Sequence, residues 1–252
     1  MLSEKVIEWL KTTGFPLEME AASAFRTVGF DVRQSATFPD PQSDKGREID
    51  VLAQDPDLIG IIEISFVIEC KSSSKPWVVF TSDDALTGHN RLFAFGVTSE
   101  AARKILAERI SNLPLLGRYI KRPAQGGYGF RQALGRESDP AFTAAIGALK
   151  ACHGIAQDRA SSSIPRLAFA FPVIVIDSPL FECSRKQDGA LELIEVSNSE
   201  FLFSAHIPDH IGCCVKVITK EHLPDFAQWA KELANTIRGE LKGEEANALN
   251  AK

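Results

Sequence analysis

The chain has 252 residues, 44% of them hydrophobic, and a formal net charge of −5. Such a chain buries a real core without difficulty, as one large domain or as a core with a sizeable insertion. The acidic balance gives no global signal for nucleic acid, so any surface that grips phosphates has to be local.

Five cysteines, Cys70, Cys152, Cys183, Cys213 and Cys214, include no Cys-x-x-Cys pair. That pattern points to scattered reduced thiols, against a disulfide frame or structural zinc. The opening "MLSEKVIEWL" alternates charged and apolar residues and reads as an amphipathic helix, not a signal peptide. The longest apolar run, Leu167–Ile176, is too short to span a bilayer and contains Pro172. A cytoplasmic protein without membrane contact is expected.

In chain order, a first helix is expected from Ser3 to Lys11, broken by Thr13-Gly14. Leu17, Ala21, Phe25 and Val28 recur at helical spacing, which predicts a second helix ending at Gly29. "FDVRQSATF" and "REIDVLAQ" read as two strands joined by a polar loop, and Ile61–Lys71 as a long third strand. In that strand Ile62, Ile64, Phe66, Ile68 and Cys70 share one face, while Glu63, Ser65, Val67, Glu69 and Lys71 share the other. Solvent exposure is expected for Glu63 and Ser65, and packing for Trp77. "WVVFT" is a further short strand and Ser99–Ile110 a helix. From Ser111 to Asp139 the pattern dissolves into Gly, Pro and Arg, which predicts a mobile insertion. A helix from Pro140 to Ala160 follows, then strands in "RLAFAFPVIVID", "ALELIEVSN", "EFLFSA" and "CCVKVIT". Cys213 and Cys214, adjacent in the last of these, should point to opposite faces. An amphipathic helix closes the chain with Leu223, Phe226, Ala230, Leu233 and Ile237 inward, ahead of a frayed tail.

The chemistry concentrates at Asp50 and at Glu69-Cys70-Lys71. Two carboxylates on neighbouring strands repel each other unless a cation sits between them, and a hard divalent ion suits them. A lysine two residues on would hold the attacking water or neutralise charge building on phosphorus. Glu-x-Lys alone is a cheap pattern, since Glu240-Leu241-Lys242 repeats it on a helix. Its position at the end of a buried strand, after an Asp-bearing strand and a Glu-bearing helix, sets the first occurrence apart.

In that order, "PLEMEAASAFRTVGFDV", "GREIDVLA" and "FVIECKSS" resemble the PD-(D/E)XK, or restriction-endonuclease-like, nuclease superfamily. The likeness is greatest to its branch related to methyl-directed restriction endonucleases and Holliday-junction resolvases, and covers Phe15 to about Trp77. The resemblance implies Asp50 and Glu69 as ligands of Mg²⁺ or Mn²⁺, with the Cys70 backbone carbonyl beside them, and Lys71 as the catalytic lysine. It also selects Glu18, eleven residues before the glycine ending its helix. Helical geometry alone leaves Glu18 and Glu20 equivalent, on opposite flanks of the apolar stripe. Pro39-Asp40 spells the literal motif in a loop, and were Asp40 the ligand, Asp50 would be a surface residue. Glu48 and the serines Ser72, Ser73 and Ser74 are lesser candidates, for a surface pair and for phosphate contacts.

The local basic surface lies between Ala101 and Arg136. Arg103, Lys104, Arg109, Arg118, Lys121, Arg122, Arg131 and Arg136 face Glu108 alone there, a net of +7. Tyr119, Tyr128 and Phe130 are interleaved, as backbone phosphates and stacked bases would require. Arg118, Lys121, Arg122 and Arg131 are the expected nucleic-acid contacts.

The sequence therefore predicts an α/β protein with a three-layer α/β/α restriction-endonuclease-like core, a mixed central sheet and a C-terminal α+β extension. Residues 1–110 form the nuclease core, 111–160 the basic insertion and its helix, and 161–252 additional strands and the closing helix. The expected activity is metal-dependent phosphodiester hydrolysis, on DNA before RNA, with a homodimer suited to cutting two strands. The alternative is an inactive module that binds nucleic acid or protein on the same fold.

Overall fold

The structure is a computed structural model that describes residues 1–40, 46–120, 126–135, 139–157, 166–207 and 209–250. It is a mixed α/β protein built on one large sheet. Helices α1 (Leu2–Leu10) and α2 (Phe15–Thr27) lead into strands β1 (Asp31–Pro39), β2 (Gly46–Gln54), β3 (Ile62–Lys71) and β4 (Trp77–Ser82). Helix α3 (Arg91–Phe95), β5 (Val97–Thr98), α4 (Glu100–Arg109), α5 (Leu116–Ile120), β6 (Gly126–Gln132) and α6 (Pro140–Ala156) follow. Strands β7 (Leu167–Ile176), β8 (Leu180–Arg185), β9 (Leu191–Val196), β10 (Asn198–Ile207) and β11 (Asp209–Thr219) precede the long α7 (Leu223–Asn250).

The strands run β1-β2-β3-β7-β11-β10-β6-β4-β8-β9, with β5 added to β7. β1, β2 and β3 form an antiparallel meander, and β3 then pairs in parallel with β7, from Ile62↔Leu167 to Lys71↔Ile176. The strands expected as an extension thus lie inside the sheet, with β7 its most buried member. Pro172 is compatible with that position because it falls between the β5 ladder, at Phe169 and Ala170, and the β11 ladder, which begins at Val173.

Both faces of β3 are covered. Ile62, Ile64, Phe66, Ile68 and Cys70 pack with Leu17, Phe25, Leu106, Phe226, Leu233 and Ile237, from α2, α4 and α7. On the other face Val67 packs with Ala148, Leu149 and Cys152 of α6. The exposure expected for Ser65 and Glu63 is corrected by this second layer. Ser65 is wholly buried and its hydroxyl accepts from Gln54 Nε2 at 3.3 Å, while Glu63 pairs with Arg166 at 2.7 Å.

The expected mobile insertion is also corrected. It holds α5, packed on α7, and β6, which lies inside the sheet between β10 and β4. Its glycines mark close packing, not a loop: a Cβ on Gly127 would lie 2.3 Å from the Glu200 carbonyl and 2.7 Å from Val79 Cγ1. Trp77 packs as expected, stacked on Phe130 of β6 with ring centroids 5.1 Å apart. The frayed tail is corrected too. α7 continues to Asn250, with Leu241 buried and Glu244 paired to Arg109. Strands β5 and β8 and helix α3 were not expected. Among the described residues no helix is long and apolar enough to cross a membrane.

Candidate active site

The site forms where the β2–β3 ladder ends. Its last pair is Val51↔Ile68, and one position further the same register sets Asp50 beside Glu69. There the Asp50 carboxylate replaces the backbone ladder, with Oδ2 accepting the Cys70 N–H at 2.7 Å. Asp50 sits at an irregularity in β2. Ile49 faces α6, whereas Val51 and Ala53 face α2, so the alternation breaks between them. Across β1, Ser35 lies opposite Asp50 in a left-handed conformation, φ 51°. A non-glycine residue held there costs energy and interrupts pairing on that side, which leaves Asp50 free to turn toward β3.

Glu69 projects toward α6 and is 9% exposed. Gly147 faces it: a Cβ there would stand 3.5 Å from Glu69 Oε1, so the helix backbone shields the carboxylate without a side chain. Burial first, and then the neighbouring Asp50 charge, push the Glu69 carboxyl up to about 7. The Lys71 ammonium, 3.1 Å from Glu69 Oε2, opposes this without cancelling it. Burial by itself would lower Lys71. The charges of Glu69 and then Asp50 outweigh that and hold the ammonium above its usual range, so Lys71 stays protonated.

Glu18 joins this group from the first turn of α2. It is half-buried, and its carboxyl is raised by burial, then by Asp50 and Glu48, with Lys71 acting the other way. The two α2 glutamates are thereby distinguished, since Glu20 is exposed and pairs with Lys220 at 2.7 Å. Glu48 is exposed in β2 opposite Thr37. Asp40 belongs elsewhere. It is buried and paired with Arg47 and with Lys150 of α6, at 3.2 Å from the latter. Cys70 turns its thiol into the core, where burial pushes its pKa up. Within a strand residue N–H and C=O point to the same side, so the Cys70 carbonyl opens toward β2 and Asp50.

The turn after Lys71 is fastened by residues that sequence reasoning missed. Asp177, at the end of β7, accepts from the Ser72 hydroxyl and from the Ser73 N–H at 2.8 Å. Gln132, at the end of β6, donates to Ser73 Oγ at 2.8 Å. The serines therefore hold the turn. The only signal for Asp177 was an aspartate closing an apolar strand.

The basic segment divides. Arg131 precedes Gln132 and so lies at the site end of the sheet, where it pairs with Asp139 at 3.3 Å. Arg118 is exposed on α5, which rests against α7: the Leu115 and Leu116 N–H groups donate to Glu240, and the Tyr119 ring meets Trp229 with centroids 5.9 Å apart. Lys121, Arg122 and Arg136 lie outside the described residues. The fully open basic surface expected here is reduced further by the Arg109–Glu244 pair.

No group of three or more His, Cys, Asp or Glu side chains arranged to hold a metal occurs among the described residues. The oxygens that could hold a cation here are those of the Asp50 and Glu69 carboxylates and the Cys70 carbonyl. This fits Mg²⁺ better than zinc, because Mg²⁺ commonly takes one or two carboxylates and keeps its remaining ligands as water or phosphate oxygen. The excess of negative charge around one buried carboxyl is what such an ion relieves. No protein-family model matches the chain, and no curated protein and no solved structure matches it.

Proposed function

We propose that the protein is a metal-dependent nuclease that hydrolyses phosphodiester bonds, in DNA before RNA, on a restriction-endonuclease-like core. One observation carries the reading. Asp50 is bonded across to the end of β3 beside Glu69, whose carboxyl is pushed up to about 7 and whose partner is the Lys71 ammonium. Helices on both faces of the meander and of β7 are consistent with the three-layer core that the motif order implies.

In this reading Asp50, Glu69 and the Cys70 carbonyl would hold Mg²⁺ or Mn²⁺, which when bound lowers the pKa of a water and offsets phosphate charge. Lys71 stays protonated, so it serves as a hydrogen-bond donor to the attacking water or to the oxygens gathering charge on phosphorus. Glu18, which shares the site with Asp50 and Lys71, would accept a hydrogen bond from that water and orient it. Asp177 and Gln132 keep the turn after Lys71 in place, which holds the ammonium where the charge develops.

The test is incubation of plasmid, linear duplex and single-stranded substrates with Mg²⁺, Mn²⁺ or EDTA. Cleavage that needs the metal and disappears in Asp50→Ala supports the proposal. Retained nucleic-acid binding without cleavage under any metal supports the inactive binding module instead.

A further inference from the structure

Asp40 has more counter-charge than it needs. The Lys150 ammonium stands 3.2 Å from one of its oxygens and 3.3 Å from the other, and both side chains are almost wholly buried. One such pair already neutralises a carboxylate that cannot stay charged alone in an apolar layer. Arg47 adds a second cation through its Nε, and 48% of its side chain is exposed. Two cations against one carboxylate leave the group a net charge of +1. Among the described residues Asp40 is the only carboxylate paired with Arg47.

That charge lies on the face of the sheet that carries Glu69. Phe38 and Ile49 pack toward α6, and Arg47, opposite Phe38 and two residues before Ile49, shares their side. Lys150 comes one turn after Gly147, which faces Glu69, so both point to the same side of α6. Glu69 is thus linked to Arg47 through Gly147, Lys150 and Asp40. A guanidinium carries its N–H donors in one fixed plane, so a buried carboxylate at Nε sets the direction of the outer donors. Arg131 is the counterpart at the other end of α6, where it is exposed and pairs with Asp139, the N-cap of that helix. From Asp139 to Lys150 the helix rises about 16 Å, and Gly147, opposite Glu69, lies between the two.

We propose that Arg47 binds the substrate: its guanidinium takes the backbone phosphate next to the scissile one, on the β2 side of the site, so that the cleaved strand runs along α6 between Arg47 and Arg131. The proposal rests on the nuclease reading and says where its substrate lies. A phosphodiester backbone suits two arginines set apart along one helix, because it repeats an anionic group at every nucleotide. The planar guanidinium also matches two phosphate oxygens at once. A conflict of charge is eased as well. Asp50, Glu69, Glu18 and Glu48 gather negative charge at the site, and Lys71 opposes it only in part. Cations held on the flanks attract a polyanion without entering the metal site.

Anisotropy titrations of a labelled duplex in EDTA over a range of salt, with steady-state cleavage in Mg²⁺, test this. Arg47→Ala should weaken duplex binding about tenfold at ~0.1 M salt and make the log–log salt slope shallower by about 0.9, one phosphate contact. The loss in cleavage should fall on KM far more than on kcat. The unfolding midpoint should stay near that of wild type, since Lys150 still pairs with Asp40. Arg47→Gln, which can hydrogen-bond Asp40 without a charge, should give the same shallower slope, and Arg47→Lys should restore it. An arginine that only braces Asp40 would move the midpoint and leave the slope alone, and that result overturns the proposal. Cleavage that depends on Asp50, with a wild-type slope in Arg47→Ala and Arg47→Gln, overturns it while the nuclease reading stands. A wild type that neither binds nor cleaves duplex overturns both.

Discussion

Lys71 donates to Glu69 at 3.1 Å, yet the Glu69 carboxyl is pushed up to about 7. One lysine does not compensate both burial and the Asp50 charge, so ionised Glu69 is a destabilising group in the folded protein. Its folded pKa lies above its unfolded value, near 4.5. Between those two values the folded state binds the extra proton, and stability falls as pH rises through that window.

Glu69→Gln should therefore stabilise the metal-free protein at pH 8, by up to about 3 kcal/mol, and leave it nearly unchanged at pH 4. Denaturant unfolding at the two pH values measures this. A variant destabilised at pH 8 would contradict the charge balance described for the site.

Addition of Mg²⁺ should raise the unfolding midpoint of wild type at pH 8, because a ligand that binds only the folded state stabilises it. The rise should shrink below pH 7, where the Glu69 carboxyl takes a proton in place of the ion. Asp50→Ala should abolish it at every pH. An equal rise in wild type and Asp50→Ala would place the ion elsewhere.

Lys71→Ala should cut the cleavage rate about a hundredfold or more while nucleic-acid affinity changes little, since the ammonium acts on charge present only in the transition state. Single-turnover rates and a separate binding titration distinguish the two effects. Equal losses in affinity and rate would make Lys71 a phosphate anchor.

Arg131 and Arg118 make contrasting probes of the basic segment. Arg131→Ala, at the site end of the sheet, should make the log–log salt slope of duplex binding shallower by about 0.9, one phosphate contact. Arg118→Ala, on α5, should change it less. The reverse order would route the duplex across α5 and α7.

Gly127→Ala should destabilise the fold by about 3 kcal/mol or more, because its methyl group would meet the Glu200 carbonyl and the Val79 side chain at once. Chemical denaturation gives the value directly, and a neutral substitution would mean that β6 does not lie against β10 as described.

Where sequence patterns are local, they carried over well. The helical spacing of Leu17, Ala21 and Phe25 and the alternation in Ile62–Cys70 describe faces that are buried as expected. The choice of Glu18 over Glu20 came from the resemblance, by its spacing to Gly29; in the structure Glu18 interacts with Asp50 and Lys71, while Glu20 pairs with Lys220. What was illegible depends on distant partners. Ser65 and Glu63 look like surface residues until α6 and Arg166 cover them, and Gly126-Gly127 looks like a loop until β10 lies against it. Asp177 and Gln132 reach the site only because β7 and β6 end there. Likewise Arg109 counts as a free cation until α7 brings Glu244 to it.

The placement of β7 also governs the order of assembly. Ser72 and Asp177 meet across 105 residues of chain, so β3 leaves the ribosome long before its parallel neighbour exists. Until then the Ile62–Lys71 edge presents unpaired amides and carbonyls on an apolar strand, a template for aggregation. The turn after Lys71 lacks its Asp177 anchor during that interval, which leaves it, among the described residues, only the contact from Gln132 to Ser73. A nascent chain that already contains Asp50, Glu69 and Lys71 therefore lacks part of the frame around them until β7 is made.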